Sequence, residues 1–294
     1  MKKIIFKGCG TAISTPFGND GINFKEFEKF IEFQIKEGVD ALIVCGTTGE
    51  SATMSTDEKK QAIKFVVDTV KKRIPVIAGT GSNSTKTAIE MSKYAESVGA
   101  DGLLLVTPYY NKTTQEGLVA HFKAIANSTS LPIIIYSVPS RTGLNVTPST
   151  CLELSKISNI VAIKEASGDL SQIAEIANLC GDNLNIYSGN DDQTVPILSL
   201  GGLGVISVLS NVAPKDTHNM VQNFLDGNVI KARELQLKSL NLIKALFCEV
   251  NPIPVKEAIN MIGYDFGIPR LPLVELSNTG KEKLKKAMTE YGLI

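Results

Sequence analysis

Lys164 is the residue whose type and setting ask most of chemistry. It closes the apolar run Ile160-Val161-Ala162-Ile163. A cation at the end of a buried strand is expensive to keep away from water. Strand alternation puts Ile160, Ala162 and Lys164 on one face and Val161, Ile163 and Glu165 on the other. A lysine facing a dry interior sheds its proton more readily, and the neutral amine is the form that adds to a carbonyl to make an imine. The bland alternative is a structural lysine that snorkels to solvent or pairs with Glu165. On a sequence without a fold that alternative is the commoner outcome, by roughly two to one. A barrel interior reverses the odds.

Other groups invite the same comparison. Gly46-Thr47-Thr48-Gly49-Glu50 is a glycine-flanked turn between a strand and a helix. Its backbone N–H groups suit a carboxylate or phosphate, although an ordinary βα loop with capping threonines reads the same way. Tyr136 ends Ile133-Ile134-Ile135. Its hydroxyl can relay a proton, although a lone tyrosine there is more often a core aromatic with a satisfied hydroxyl. Arg141 lies in Val138-Pro139-Ser140-Arg141-Thr142-Gly143. It suits bidentate carboxylate binding, although most loop arginines are merely solvated.

These groups need elements to hold them. Eight short runs rich in Val, Ile and Leu recur: Thr11–Thr15, Ala41–Cys45, Val76–Ala78, Gly102–Val106, Ile133–Tyr136, Val161–Lys164, Asn185–Ser188 and Gly204–Val208. They are continuously apolar, as a parallel sheet buried on both faces requires. Amphipathic stretches lie between them. Phe24–Lys36, Thr85–Val98 and Glu116–Ala126 read as helices, as does Glu58–Val70 with Asp57 as N-cap, and Gly38, Gly99 and Gly181 fall where C-caps belong. Eight such units predict an α/β fold, a (β/α)8 TIM barrel, ahead of a doubly wound open sheet. Function then belongs at the C-terminal ends of the strands. After about Asn219 only helical patterns remain, over Asn228–Phe247, Pro254–Met261 and Lys281–Tyr291. The expected division is a catalytic barrel over residues 1–225 and a C-terminal helical extension over 226–294, with homo-oligomer contacts on the extra helices.

Composition narrows the function classes. The chain has 294 residues, enough for a large core, and 30 basic residues balance 30 acidic ones. Nothing here suggests a nucleic-acid partner, which usually needs a basic patch, and no window has the apolar length of a membrane span. The N-terminus has no apolar run long enough for a signal peptide. The five cysteines are widely spaced with no CxxC, which disfavours a disulfide framework or a zinc site and suits a cytoplasmic protein. The histidines, His121 and His218, both fall on predicted helices, against a His-ligated metal aldolase. There is no GxSxG elbow and no P-loop, and Gly79-Thr80-Gly81 lacks a third glycine at Ser84.

Together with Thr107-Pro108-Tyr109-Tyr110-Asn111-Lys112, Ile163-Lys164-Glu165-Ala166-Ser167-Gly168-Asp169 and Asn251-Pro252-Ile253-Pro254-Val255-Lys256, these motifs resemble the dihydrodipicolinate synthase / N-acetylneuraminate lyase superfamily over nearly the whole chain. The Pro-Ser-Arg-Thr-Gly loop is similar to the synthase branch. The resemblance implies a class I, Schiff-base reaction: Lys164 forms an imine with pyruvate, and the enamine adds to (S)-aspartate 4-semialdehyde on the diaminopimelate and lysine route, with no cofactor and no metal. It implies that Thr47 and Thr48 hold pyruvate's carboxylate and that Tyr136, Thr48 and Tyr110 relay protons, with Tyr110 reaching a neighbouring subunit. It further implies that Arg141 binds the semialdehyde's carboxylate, that Gly189 and Ile206 line the pocket, and that Asn190 touches the semialdehyde where the family often has Asp. A homotetramer, a dimer of dimers, goes with this.

Ser51, Ala52, Asn83 and Tyr109 match the site at which lysine-inhibited relatives bind lysine. Those relatives carry histidines at the positions of Thr56 and Lys59 and a glutamate at that of Thr87. Losing the counter-charge and gaining Lys59 implies weak or absent lysine feedback. The competing readings are a pyruvate aldolase for a sugar acid and, in another class, a non-catalytic metabolite-binding barrel.

Overall fold

The structure is a computed structural model and describes residues 2–294. Eight parallel strands close a barrel in sequence order: β1 (Gly8–Ala12), β2 (Ala41–Val44), β3 (Val76–Gly79), β4 (Gly102–Val106), β5 (Ile133–Ser137), β6 (Ile160–Glu165), β7 (Asn185–Ser188) and β8 (Gly204–Ser207), with β8 paired back to β1. The TIM-barrel expectation holds. The barrel helices are α1 (Phe24–Lys36), α2 (Thr56–Val70), α3 (Thr85–Ser97), α4 (Gln115–Ala126), α5 (Pro148–Ser155), α6 (Leu170–Cys180), α7 (Thr194–Ser199) and α8 (Pro214–Leu225). A two-stranded hairpin, Phe17–Gly18 with Gly21–Ile22, lies beside α1.

The strands are mostly apolar because both of their faces are covered. Ile43, Ile77, Leu104, Ile134, Tyr187 and Ile206 fill the barrel interior. Their neighbours Leu42, Val76, Leu103, Leu105, Ile133 and Ile135 face the helix layer. Phe6 plugs the interior by stacking on Tyr187 at 4.5 Å, and the Tyr187 hydroxyl donates to the Phe6 carbonyl at 2.6 Å.

Three local expectations are corrected. The first strand is Gly8–Ala12, not Thr11–Thr15. Its glycines hide it, since glycine is a weak strand signal. Gly10 is needed because a Cβ there would stand 2.7 Å from Ile43 Cδ1. The strand ends once the Ser14 N–H turns to the Asn211 side chain and the Thr15 hydroxyl turns to the Gly49 carbonyl. The N-cap of α2 is Ser55, not Asp57: Ser55 and Glu58 exchange reciprocal bonds in a capping box. Strict alternation along β6 fails at its start. Ile133 pairs with Ile160 but Ile134 pairs with Ala162, so Val161 is an extra residue in a bulge. Ile160 therefore joins the helix-facing core and Val161 the interior. Beyond the bulge the alternation resumes, and Lys164 points inward.

After α8 come α9 (Val229–Leu246), α10 (Ile253–Met261) and α11 (Asn278–Tyr291), with α9 packed along both α8 and α11. Asn251, which leads into α10, returns the chain to the mouth of the barrel. Among the described residues no helix is long and apolar enough to cross a membrane.

Candidate active site

Lys164 is set by strand register. It pairs with Tyr136 on β5 and Tyr187 on β7, and its Nζ lies 4.2 Å from the centre of the Tyr136 ring. The side chain is almost sealed, at 5% exposure. Burial lowers its pKa to about 7; the Arg141 guanidinium also lowers it, while the Asp191 carboxylate works the other way. A large fraction of this amine is therefore neutral near neutral pH. The same burial pushes the Cys45 thiol up, to about 12. Desolvation thus makes a nucleophile of the lysine and an inert core group of the cysteine.

Glu165 takes no part in this. It faces the helix layer, where Ser167 and Gln172 donate to its carboxylate. Asp191, in the turn after β7, carries the opposing charge. Its buried carboxylate accepts from the Ser207 hydroxyl and from the backbone N–H groups of Val208 and Leu209, each at 3.0 Å. Burial raises its pKa. Gly189, just before it, leaves the lysine its space: a Cβ there would stand 3.1 Å from Lys164 Cε and 2.7 Å from Ala166 Cβ.

Thr47, Thr48, Tyr136, Arg141, Lys164, Gly189 and Asn190 line one cavity of about 230 Å³. Tyr136 keeps its proton, because burial raises the phenol's pKa. Thr47 and Tyr136 also share a smaller pocket of about 40 Å³ beside that cavity. The Thr48 hydroxyl accepts from Asn251 Nδ2 at 3.2 Å. Arg141 stands on a helical turn, Pro139–Thr142, and its Nη2 donates to the Asn251 carbonyl at 3.2 Å. Asn190 donates to Gln193 rather than into the cavity.

Some expected residues lie elsewhere. Ile206 is on β8 in the packed interior, outside the lining of the cavity. Tyr110 projects away from the molecule at 93% exposure, with a left-handed φ of 70°. Ser51, Ala52 and Tyr109, with Lys59 and Thr87, line a second, larger cavity of about 460 Å³. Arg141, Thr47 and Asn251 stand between the two cavities and line both. Asn83 donates to the Tyr109 carbonyl beside it, and Thr56 opens α2. Residue-by-residue reasoning gave no role to Asp191, Asn251, or the buried pair Glu50 and Lys256. For Asp191 the signal was an acid next to a strand end. For Asn251 and Lys256 it was a polar pair inside an apolar late segment.

A closed (β/α)8 barrel with a readily deprotonated lysine in its mouth is the arrangement of the aldolase-type barrels that work through a lysine imine. A profile of the Dihydrodipicolinate synthetase family matches residues 5–291, and the chain belongs to that family. It is 59% identical over 291 residues to the 4-hydroxy-tetrahydrodipicolinate synthase of a Thermoanaerobacter species, covering 99% of this chain and 98% of that one. The crystal structure of the chloride-inhibited dihydrodipicolinate synthase from Acinetobacter baumannii, complexed with pyruvate, superposes with a TM-score of 0.97 at 43% identity, covering 99% of this chain and 100% of that one. The enzyme from Cyanidioschyzon merolae with lysine bound gives 0.96 at 41% identity, with 99% and 100% coverage.

Proposed function

We propose that this chain condenses pyruvate with (S)-aspartate 4-semialdehyde to give 4-hydroxy-tetrahydrodipicolinate, with Lys164 as the covalent nucleophile. The observation that carries the assignment of the lysine is its place, sealed at 5% exposure in the lining of the strand-end cavity with its Nζ 4.2 Å from the centre of the Tyr136 ring. Neutral Lys164 adds to C2 of pyruvate, and water leaves as the imine forms. A C3 proton is lost, with the iminium as electron sink, to give an enamine. The enamine carbon adds to the semialdehyde's aldehyde carbon. The semialdehyde's amine then attacks C2, displaces Lys164 and closes the ring.

The other roles follow from position. The Thr47–Thr48 turn offers its N–H groups to pyruvate's carboxylate. Tyr136, still protonated, passes protons through a threonine hydroxyl of that turn. Arg141, at the rim, binds the semialdehyde's carboxylate. Tyr110, exposed and held in a strained backbone conformation, extends the relay into a neighbouring subunit's site. That role needs an oligomer, and a cytoplasmic homotetramer built as a dimer of dimers fits it.

The test is borohydride reduction in the presence of pyruvate, followed by peptide mass spectrometry and an acceptor panel. The expected result is a pyruvyl increment on the Lys164 peptide and pyruvate consumption with aspartate semialdehyde alone. Consumption with a sugar aldehyde would keep the chemistry and replace the acceptor. No adduct would sink the imine and leave a metabolite-binding barrel.

A further inference from the structure

The mouth of the barrel is tied to a segment near the end of the chain by groups that the condensation does not use. The turn after β2 carries Thr47, which lines the reacting cavity together with Tyr136. The residues that follow Thr47 are held by Asn251–Lys256. Asn251 Nδ2 donates to Thr48 Oγ1 at 3.2 Å, and its carbonyl accepts from Arg141 at 3.2 Å. At the start of α10, Lys256 Nζ lies 2.6 Å from Glu50 Oε1, and neither side chain has any exposure. The second oxygen of Glu50 accepts the Arg270 backbone N–H at 2.9 Å. Glu50 ends the turn in the left-handed region, at φ 56°, which is uncommon for a residue with a side chain. Its N–H closes the turn onto the Thr47 carbonyl at 3.0 Å.

Stability is a poor explanation for this arrangement. Desolvating two charges offsets most of their attraction, and apolar side chains of similar volume often serve a fold as well. What an ion pair does better is fix one geometry. Here the fixed geometry is that of the turn whose first threonine faces the reacting cavity.

We propose that Glu50, Lys256 and Asn251 are positioning residues for the condensation. They clamp the Gly46–Glu50 turn so that Thr47 stays in the cavity lining with Tyr136 and the turn's N–H groups stay aimed at pyruvate's carboxylate. The Asn251 carbonyl steadies Arg141 in the same way. This inference rests on the Lys164–pyruvate reading.

The experiment uses the full chain carrying Glu50→Gln with Lys256→Met, which keeps an acceptor for the Arg270 N–H and removes both charges. The expected variant melts close to its parent and is still labelled at Lys164 by borohydride at saturating pyruvate. Its pyruvate KM rises and its kcat falls, together lowering kcat/KM about 100-fold, the usual scale for an ångström of misplacement. Its pH midpoint stays where it was, because the surroundings of Lys164 are unchanged. Parental kcat and KM in this variant would overturn the clamp. Failure to label the parent protein would overturn the imine reading instead. If the double variant does not fold, Asn251→Ala decides, since it leaves the ion pair in place. It should raise KM for pyruvate, because it removes the bond to Thr48 and keeps the backbone carbonyl that Arg141 uses, and parental kinetics there would equally overturn the proposal.

Discussion

Lys164 and Lys256 stand in similar surroundings. Each is sealed from water, at 5% and 0% exposure, and each holds its Nζ 4.2 Å from the centre of an aromatic ring, Tyr136 for one and Phe17 for the other. Burial lowers the pKa of both. They differ in partners. Glu50 lies against Lys256 and favours its charged form. The carboxylate nearest to Lys164 in effect, Asp191, is occupied by Ser207 and two backbone N–H groups. Burial sets the cost of a cation, and a partner decides whether the cation persists. A paired buried lysine is a tether, and an unpaired one is a nucleophile.

Cutting each lysine is the most direct way to break that comparison. Lys164→Met should abolish the trapped adduct and lower kcat/KM by at least about a thousandfold, or ~4 kcal/mol of transition-state stabilisation. Its folding stability should hold or rise, because an unpaired amine leaves an apolar tube. Lys256→Met should do the reverse. The adduct still forms in the folded fraction, but Glu50 is left buried without its cation, and stability falls by about 3–5 kcal/mol in urea melts. Equal losses of stability from the two substitutions would mean that the lysines do not differ in kind.

The same contrast explains what could be read in advance. Lys164 was legible because strand period is local: the residues from Ile160 to Lys164 carry their own facing, apart from the bulge at Val161, and the barrel needed only the recurrence of such runs. Tyr136 and Gly189 were legible for the same reason. Lys256 was not, because nothing within α10 says that it meets Glu50 across 206 positions of sequence. Thr47 and Thr48 were legible as one turn at the cavity. That Thr48 is held by Asn251 was not, because Asn251 lies far off in the chain. The first strand was displaced because Gly8 and Gly10 are there for close packing, and packing partners do not show in a hydrophobic pattern.

The charge difference can be sharpened by titration. With the Lys164 pKa near 7, kcat/KM for pyruvate should climb with pH, reach its midpoint at about 7 and then level off, as the neutral amine accumulates. Asp191 favours the ammonium, so Asp191→Asn should move that midpoint to lower pH. A midpoint in the range of ordinary lysine would mean that the cavity is wet and the contrast with Lys256 is false. An upward shift on removing Asp191 would contradict the sign of its charge effect.

The smallest effect concerns the second cavity, where a free lysine would be the cation in question. The acid lining it that could greet an ammonium is Glu50, and that carboxylate is already committed to Lys256. Lys59 lines the same space and repels a second positive charge, while Thr87 offers a hydroxyl and no counter-charge. Lysine is bound in the Cyanidioschyzon merolae enzyme; in this chain, millimolar lysine should leave the rate nearly unchanged. Thr87→Glu restores a carboxylate at an exposed position, where a single ion pair contributes about 0–1 kcal/mol. It should therefore bring in only a few-fold sensitivity to lysine, and Lys59→His on top of it somewhat more. Strong inhibition of the parent by lysine would show that Glu50 is free to serve a ligand, and would undo the assignment of Lys256 as its fixed partner.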